Sequence, residues 1–222
     1  MQKKYDTVIF DLDGTLLDTL EDLKDAVNYA MCQYGLPQHT LEEIRRFVGN
    51  GIRRLLELSV PEGEAHPAFE EILRTFRAYY SEHCMDQTKP YAGIEDMLRQ
   101  LKREGYAMAI VSNKVDSAVK TLNREHFGEL VEVAIGETQG IARKPAPDMI
   151  EKALQKLNKT KESAVYVGDS EVDLATAANA GLPCISVLWG FRERDFLAAR
   201  GALQFAATPS KVVRFLTGGE NE

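Results

Sequence analysis

Asp11 and Asp13 stand two residues apart in Phe10-Asp11-Leu12-Asp13-Gly14-Thr15-Leu16, directly after the apolar run Thr7-Val8-Ile9-Phe10. Branched apolar residues ended by acids and a glycine predict a buried strand that stops at a polar site. Carboxylates two apart on an extended chain project to one side, about 6.6 Å apart at roughly 3.3 Å of rise per residue. One suits a nucleophile and the other an acid/base, with a metal between them and the substrate. Three later segments carry further polar groups: Ser112-Asn113, Lys144 in a loop with two prolines, and Asp169 with Asp173. Brought together, they make a pocket of several carboxylates, a hydroxyl, an amide and one ammonium. Such carboxylates repel a phosphate by about 4 kcal/mol per charge pair at roughly 4 Å and an effective dielectric near 20. A cation must offset that repulsion. Hard oxygen donors select Mg²⁺, which keeps some waters and also binds phosphate oxygens.

The elements that must position these groups follow from periodicity. A first strand is expected near 6–11. Residues 17–84 then show only helical spacing: Thr19 to Tyr34, a capping box at Thr40-Leu41-Glu42-Glu43, a face formed by Ile52, Leu55, Leu56 and Val60, and Pro67 to Cys84. Gly49-Asn50-Gly51 and Pro61-Glu62-Gly63 break this block. Beyond residue 90, strands are predicted at 107–111, ending at Ser112-Asn113, and at 131–135, 164–167 and 184–188, with helices between them. Alternation of this kind predicts a doubly wound, parallel α/β sheet with right-handed crossovers. The expected organisation is a core domain of residues 1–16 and 85–222, interrupted by an all-helical cap subdomain over 17–84. Residues near 15–20 and 84–90 are expected to be hinges.

Composition narrows the class. The chain has 222 residues, 44% hydrophobic and 27% charged, a soluble globular composition whose length suits one large domain or a core domain plus a smaller one. Net charge is −7 and no basic tract of five residues occurs, so no nucleic-acid surface is expected. Cys32, Cys84 and Cys184 lie far apart without Cys-x-x-Cys spacing, which predicts reduced thiols and a cytoplasmic setting. No stretch is apolar enough for a signal peptide or a membrane span. The ending Gly218-Gly219-Glu220-Asn221-Glu222 is expected to fray.

Taken in order, Asp11-Leu-Asp13-Gly-Thr15, Ser112-Asn113, Lys144-Pro145 and Gly168-Asp169-Ser170-x-x-Asp173 resemble the four motifs of the haloacid dehalogenase superfamily. They span about 165 residues, and the helical insert is similar to that family's cap. The resemblance implies a Rossmann-like core and assigns roles residue by residue. Asp11 would attack phosphorus and become an aspartyl phosphate. Asp13 would protonate the leaving oxygen, then activate water. Asp11, the backbone carbonyl of Asp13, and Asp169 would hold Mg²⁺, with Asp173 supporting the metal. Ser112, the backbone at Asn113, and Lys144 would bind phosphate oxygens, with Gly14 and Thr15 turning backbone N–H groups toward them. A carboxyl at Asp13 favours phosphate esters over halides as leaving groups, and anionic neighbours are expected to make it a better acid/base.

Phe47-Val48-Gly49-Asn50-Gly51-Ile52-Arg53-Arg54 and Ser186-Val187-Leu188-Trp189-Gly190-Phe191 resemble the phosphoglycolate phosphatases within that superfamily. Gly49, Asn50 and Arg53 are therefore candidates for substrate specificity, because a helix opening at Asn50-Gly51 offers N–H groups to a second anion. The implied activity is Mg²⁺-dependent hydrolysis of a small phosphorylated metabolite, by a monomer or homodimer that binds neither membrane nor nucleic acid. Three alternatives stay open: a pyrophosphatase or sugar-phosphate phosphatase, a β-phosphoglucomutase-like transferase, and a phospho-accepting signalling module.

Overall fold

A computed structural model describes residues 4–218; Gly219 to Glu222, expected to fray, lie outside the described residues. The chain begins with β1 (Thr7–Phe10), every residue of which is buried, and continues into β2 (Leu17–Asp18). Four helices follow: α1 (Leu20–Gln33), α2 (Leu41–Phe47), α3 (Gly51–Ser59) and α4 (Phe69–His83). Next come β3 (Lys89–Pro90), α5 (Ile94–Arg103), β4 (Ala107–Val115), α6 (Asp116–His126) and β5 (Val133–Glu137). The last part is α7 (Asp148–Leu157), β6 (Ala164–Gly168), α8 (Glu171–Ala180), β7 (Cys184–Val187), α9 (Arg194–Ala198), β8 (Phe205–Ala206) and α10 (Pro209–Thr217).

Two compact units divide the chain. One holds the residues up to Leu16 and from Pro90 onward; the other is Leu17–Lys89. The first unit is built on a six-stranded sheet in the order β5-β4-β1-β6-β7-β8, with every pair parallel. Strand order runs outward from β1 on one side through β4 and β5, then on the other through β6, β7 and β8. The reversal falls at β1, so the crevice at the carboxyl ends of β1, β4 and β6 is where this topology places a ligand. One face of the sheet is sealed by α7 and α8: Ile9, Val111, Ile135 and Tyr166 pack with Met149, Ile150, Ala153 and Ala177 in one buried cluster. Full burial on both faces explains why β1 and β6 read as continuous apolar runs without alternation.

In the second unit the capping box forms as the sequence predicts, with the Thr40 hydroxyl accepting from the Glu43 N–H and the Glu43 carboxylate accepting from the Thr40 N–H. Residues 85–89 fall in this unit because the buried Asp22 carboxylate accepts the backbone N–H groups of Gln87 and Thr88, both at 2.9 Å.

Several expected boundaries differ. β4 runs on through Ser112 and Asn113 to Val115, because pairing with β5 resumes at Val115 and Glu137 after a register shift. β5 begins two residues later than the apolar run suggests. Residues 17–84 are not wholly helical: β2 pairs with β3 in a two-residue ladder. The helix expected from Pro67 starts at Phe69, after a 3₁₀ turn at Gly63–Ala65. Short pairings such as β2, β3 and β8 are backbone bonds with no side-chain period to announce them.

Asp22→Ala strands the buried Thr88 N–H and the part-buried Gln87 N–H, and should cost about 2–3 kcal/mol. Asp25→Ala, which removes an exposed bond from the Gln87 side chain and a surface ion pair with Lys24 at 3.2 Å, should stay within about 0.5 kcal/mol. Urea unfolding followed by circular dichroism distinguishes the two.

Candidate active site

Asp11 and Asp169 reach the crevice by the same device, a strand that stops one residue short of each. The Asp11 N–H still bonds the Val167 carbonyl at 2.9 Å, so Asp11 extends the ladder one step past β1. Asp169 follows β6 directly. Asp173 lies in the first turn of α8, where it completes a capping box with Ser170. Carboxylate oxygens of Asp11, Asp169 and Asp173 lie within 4.8 Å of one another, and all three residues are buried.

Lys144 holds this cluster together. Its ammonium, 3% exposed as a residue, lies 2.8 Å from Asp11 Oδ1 and 2.8 Å from Asp173 Oδ1, and it donates to the Tyr166 hydroxyl at 3.2 Å. Burying an ion costs several kcal/mol unless partners and hydrogen bonds compensate it. Two carboxylates compensate it here, and they raise the Lys144 pKa despite burial, which acts the other way.

The three acids are not equivalent. Asp173 Oδ1 accepts from Lys144 and from Tyr166 Oη (2.9 Å), while Oδ2 accepts from the Ser170 N–H and hydroxyl (3.0 and 2.6 Å). Burial pushes the Asp173 carboxyl up, but the charge and hydrogen bond of Lys144 and the two hydroxyls outweigh it and hold it below the ordinary range. Asp11 accepts the Leu12 N–H and Lys144 on Oδ1 alone. Burial and the charge of Asp173 push its carboxyl well up, against the pull of Lys144. Asp169 accepts the Thr15 hydroxyl on Oδ1 (3.0 Å) and the Phe191 N–H on Oδ2 (2.8 Å). Burial, then Asp173, raise it to about 7. Three buried carboxylates therefore face one ammonium, and Asp11 and Asp169 bear the uncompensated charge.

That imbalance is the test for a metal. The donor set is all hard oxygen, the excess charge is negative, and Asp11 and Asp169 retain unused lone pairs. A divalent cation such as Mg²⁺ fits these residues. Asp173 fits less directly, because each of its oxygens already accepts two donors. It serves Lys144 and α8.

Glycines make room for the cluster. A Cβ at Gly190 would fall closer to the Gly14 carbonyl and the Asp169 side chain than real Cβ atoms approach, and one at Gly168 would strike Asp173. Trp189 Nε1 donates to the Thr15 carbonyl at 2.9 Å and fixes the same turn.

The other expected residues have local partners of their own. The Thr15 N–H bonds the Leu12 carbonyl at 3.3 Å and the Thr15 hydroxyl bonds Asp169, so Thr15 orients a carboxylate. The Ser112 hydroxyl lies 3.3 Å from Asp13 Oδ2. The Asn113 side chain donates to the Lys144 carbonyl at 3.1 Å and ties the lysine loop to β4. Asp13 stands outside the three-acid cluster, and like-charge neighbours are not its only company: Lys114 Nζ lies 2.7 Å from its Oδ1. In the second unit, Asn50 precedes α3 without a side-chain cap bond. Arg53, expected to supply charge, is bound to Glu64 and Glu70 at 2.6 and 2.7 Å and lies over Phe69, so its charge is matched locally.

Lys114, Tyr166 and the Phe191 N–H are site groups that the motifs do not single out. Lys114 carries a signal, since it stands two residues from Ser112 on an extended strand and so shares its face. Tyr166 reads as core within an apolar run, and a backbone N–H leaves no trace in sequence.

A profile of haloacid dehalogenase-like hydrolases matches residues 8–187. The chain belongs to that family. It is 33% identical over 188 residues to the phosphoglycolate phosphatase of Aquifex aeolicus, covering 83% of this chain and 85% of that protein. It is 37% identical over 189 residues to the phosphoglycolate phosphatase of Cereibacter sphaeroides, covering 83% and 86%. A crystal structure from Lactobacillus delbrueckii subsp. bulgaricus, provisionally assigned as a phosphoglycolate phosphatase, superposes with a TM-score of 0.92 at 36% identity, covering 96% of this chain and 98% of that one. Among the described residues, no helix is long and apolar enough to cross a membrane.

Lys144→Met leaves the three acids with no cation. It should cost about 3–5 kcal/mol in urea unfolding with chelator present. The double variant Lys144→Met/Asp173→Asn should recover part of that loss.

Proposed function

We propose that the chain is a phosphomonoesterase acting on small phosphorylated metabolites, with 2-phosphoglycolate the first candidate, through an aspartyl phosphate on Asp11. The observation that carries this reading is Asp11 itself: a buried carboxylate with Lys144 and Leu12 on one oxygen and no partner among the described residues on the other. A carboxylate attacks a phosphate only where cations offset the repulsion of two anions. Lys144 supplies part of that offset. Asp11, the Asp13 carbonyl and Asp169 would hold Mg²⁺, which when bound would neutralise charge on the phosphate and on its attacker.

The residues then divide the work. Asp11 forms the new bond to phosphorus as the ester bond breaks. The Asp13 carboxyl gives its proton to the departing oxygen. In the second half Asp13 takes a proton from the attacking water, and Asp11 is released with inorganic phosphate. Ser112, the backbone at Asn113, and Lys144 bind the phosphate oxygens. Gly14, Trp189 and Thr15 keep the loop after β1 and Asp169 in place, so that no reorganisation is needed during transfer.

We assign the cap role to Leu17–Lys89, and the choice among phosphate esters in part to Gly49 and Asn50 within it. The names of the relatives support phosphoglycolate as substrate. Arg53 is the weakest of the three candidates, because two carboxylates already claim it.

A phosphate-release screen over small phosphomonoesters, with Mg²⁺ or with chelator, tests the reading. Release from 2-phosphoglycolate that chelator abolishes is the expected result. Asp11→Asn should lower turnover by at least about 10³-fold, and Asp13→Asn by about 10²- to 10⁴-fold. Transfer to sugars in preference to water would point to a phosphomutase. A stable phospho-Asp without turnover would point to a signalling module. Phosphate release undiminished in Asp11→Asn would refute the assignment.

A further inference from the structure

A second buried ammonium serves the other acid of the pair. Ser112 and Lys114 alternate along β4 and reach one carboxylate. Lys114 Nζ lies 2.7 Å from Asp13 Oδ1, the Ser112 hydroxyl lies 3.3 Å from Oδ2, and the Lys114 N–H donates to that hydroxyl at 3.1 Å. The Lys114 side chain is 5% exposed and that of Asp13 is 19% exposed. Asp13 itself belongs to the loop after β1, next to Gly14 with φ of 86°. A loop carboxylate has several rotamers, and a proton donor must be placed to within a fraction of an ångström. The two lysines keep separate posts: Lys144 bridges Asp11 and Asp173, and Lys114 grips Asp13.

We propose that Lys114 is the positioning residue for Asp13, holding its carboxyl toward the departing ester oxygen. This rests on the phosphatase reading above. Lys114 exchanges no proton in either half-reaction. The proton passes from Asp13 to the ester oxygen as phosphorus moves to Asp11. A proton then returns to Asp13 from the water that frees Asp11. Lys114 keeps one Asp13 oxygen fixed through both transfers.

The test compares 2-phosphoglycolate with 4-nitrophenyl phosphate, whose leaving group departs without a proton. Lys114→Met should lower kcat/KM for 2-phosphoglycolate by about 100-fold while KM moves by less than about 3-fold. For 4-nitrophenyl phosphate, the loss should stay below about 5-fold. Lys114→Arg should recover part of the loss, and Lys114→Met should add little in an Asp13→Asn background, because both changes remove one function. Equal losses on both substrates with weaker inhibition by inorganic phosphate would make Lys114 a phosphate ligand and overturn the proposal. So would unchanged kcat/KM, or additive losses in the double variant. If Lys114→Met does not fold, Lys114→Arg decides: a loss confined to 2-phosphoglycolate supports positioning, and a loss independent of the leaving group overturns it. A wild-type chain inactive on both esters, or an Asp13→Asn variant as active as wild type, would instead remove the phosphatase reading beneath this proposal.

Discussion

One ammonium shared by two carboxylates governs the arrangement of this site. Lys144 is almost wholly buried, and a lysine there is tolerable only because Asp11 and Asp173 both lie 2.8 Å away. The dependence runs in both directions. Without Lys144, Asp11 and Asp173 would face each other with no cation between them. Without Asp173, Lys144 would rest on Asp11 alone. Asp173 therefore takes the structural share of the charge, with four donors on its two oxygens, and Asp11 keeps one oxygen clear. Two acids in one cluster acquire different tasks from their surroundings alone.

The sheet makes such crowding possible. Parallel strands deliver their last residues to a common edge, and β1 lies between β4 and β6, so its end has neighbours on both flanks. Asp11 and Asp169 each continue a strand by one residue, which leaves their side chains little freedom. The turns around them are equally confined. Gly190 and Gly168 leave space for Asp169 and Asp173 that any side chain at those positions would fill. Backbone N–H groups from Leu12, Phe191 and Ser170 then finish the orientation of the three acids.

Much of this is legible in the amino-acid sequence. The acids after β1 and β6, the alternation of strand and helix, and the long helical insert all show there, because each has a strong signature in residue type and spacing. Lys144 is visible as a motif, but its bridging of Asp11 and Asp173 is not, since a residue pattern does not say which anion a cation will choose. Thr15 shows the same gap: its type is right for the site, but its hydroxyl is used on Asp169. Lys114 escapes because a lysine near a strand end most often reaches solvent, and only the alternation with Ser112 argues otherwise. Tyr166 escapes because an aromatic residue within Ala164-Val165-Tyr166-Val167 looks like packing, and it is packing apart from one oxygen. The β2–β3 ladder and β8 are short, and nothing but backbone pairing defines them.

The central place of β1 has a consequence for how this molecule comes into being. Of the six strands in the sheet, β1 is the first to leave the ribosome. It needs partners on both edges, and those partners are encoded far downstream. The Thr15–Asp169 bond alone spans 154 positions. Contacts so remote in sequence demand costly loop closure and slow the search for the native state. A growing chain must therefore carry β1 unmatched on one side until β6 is synthesised, its open edge a temptation to wrong pairing. The earliest strand made is among the last to be completed.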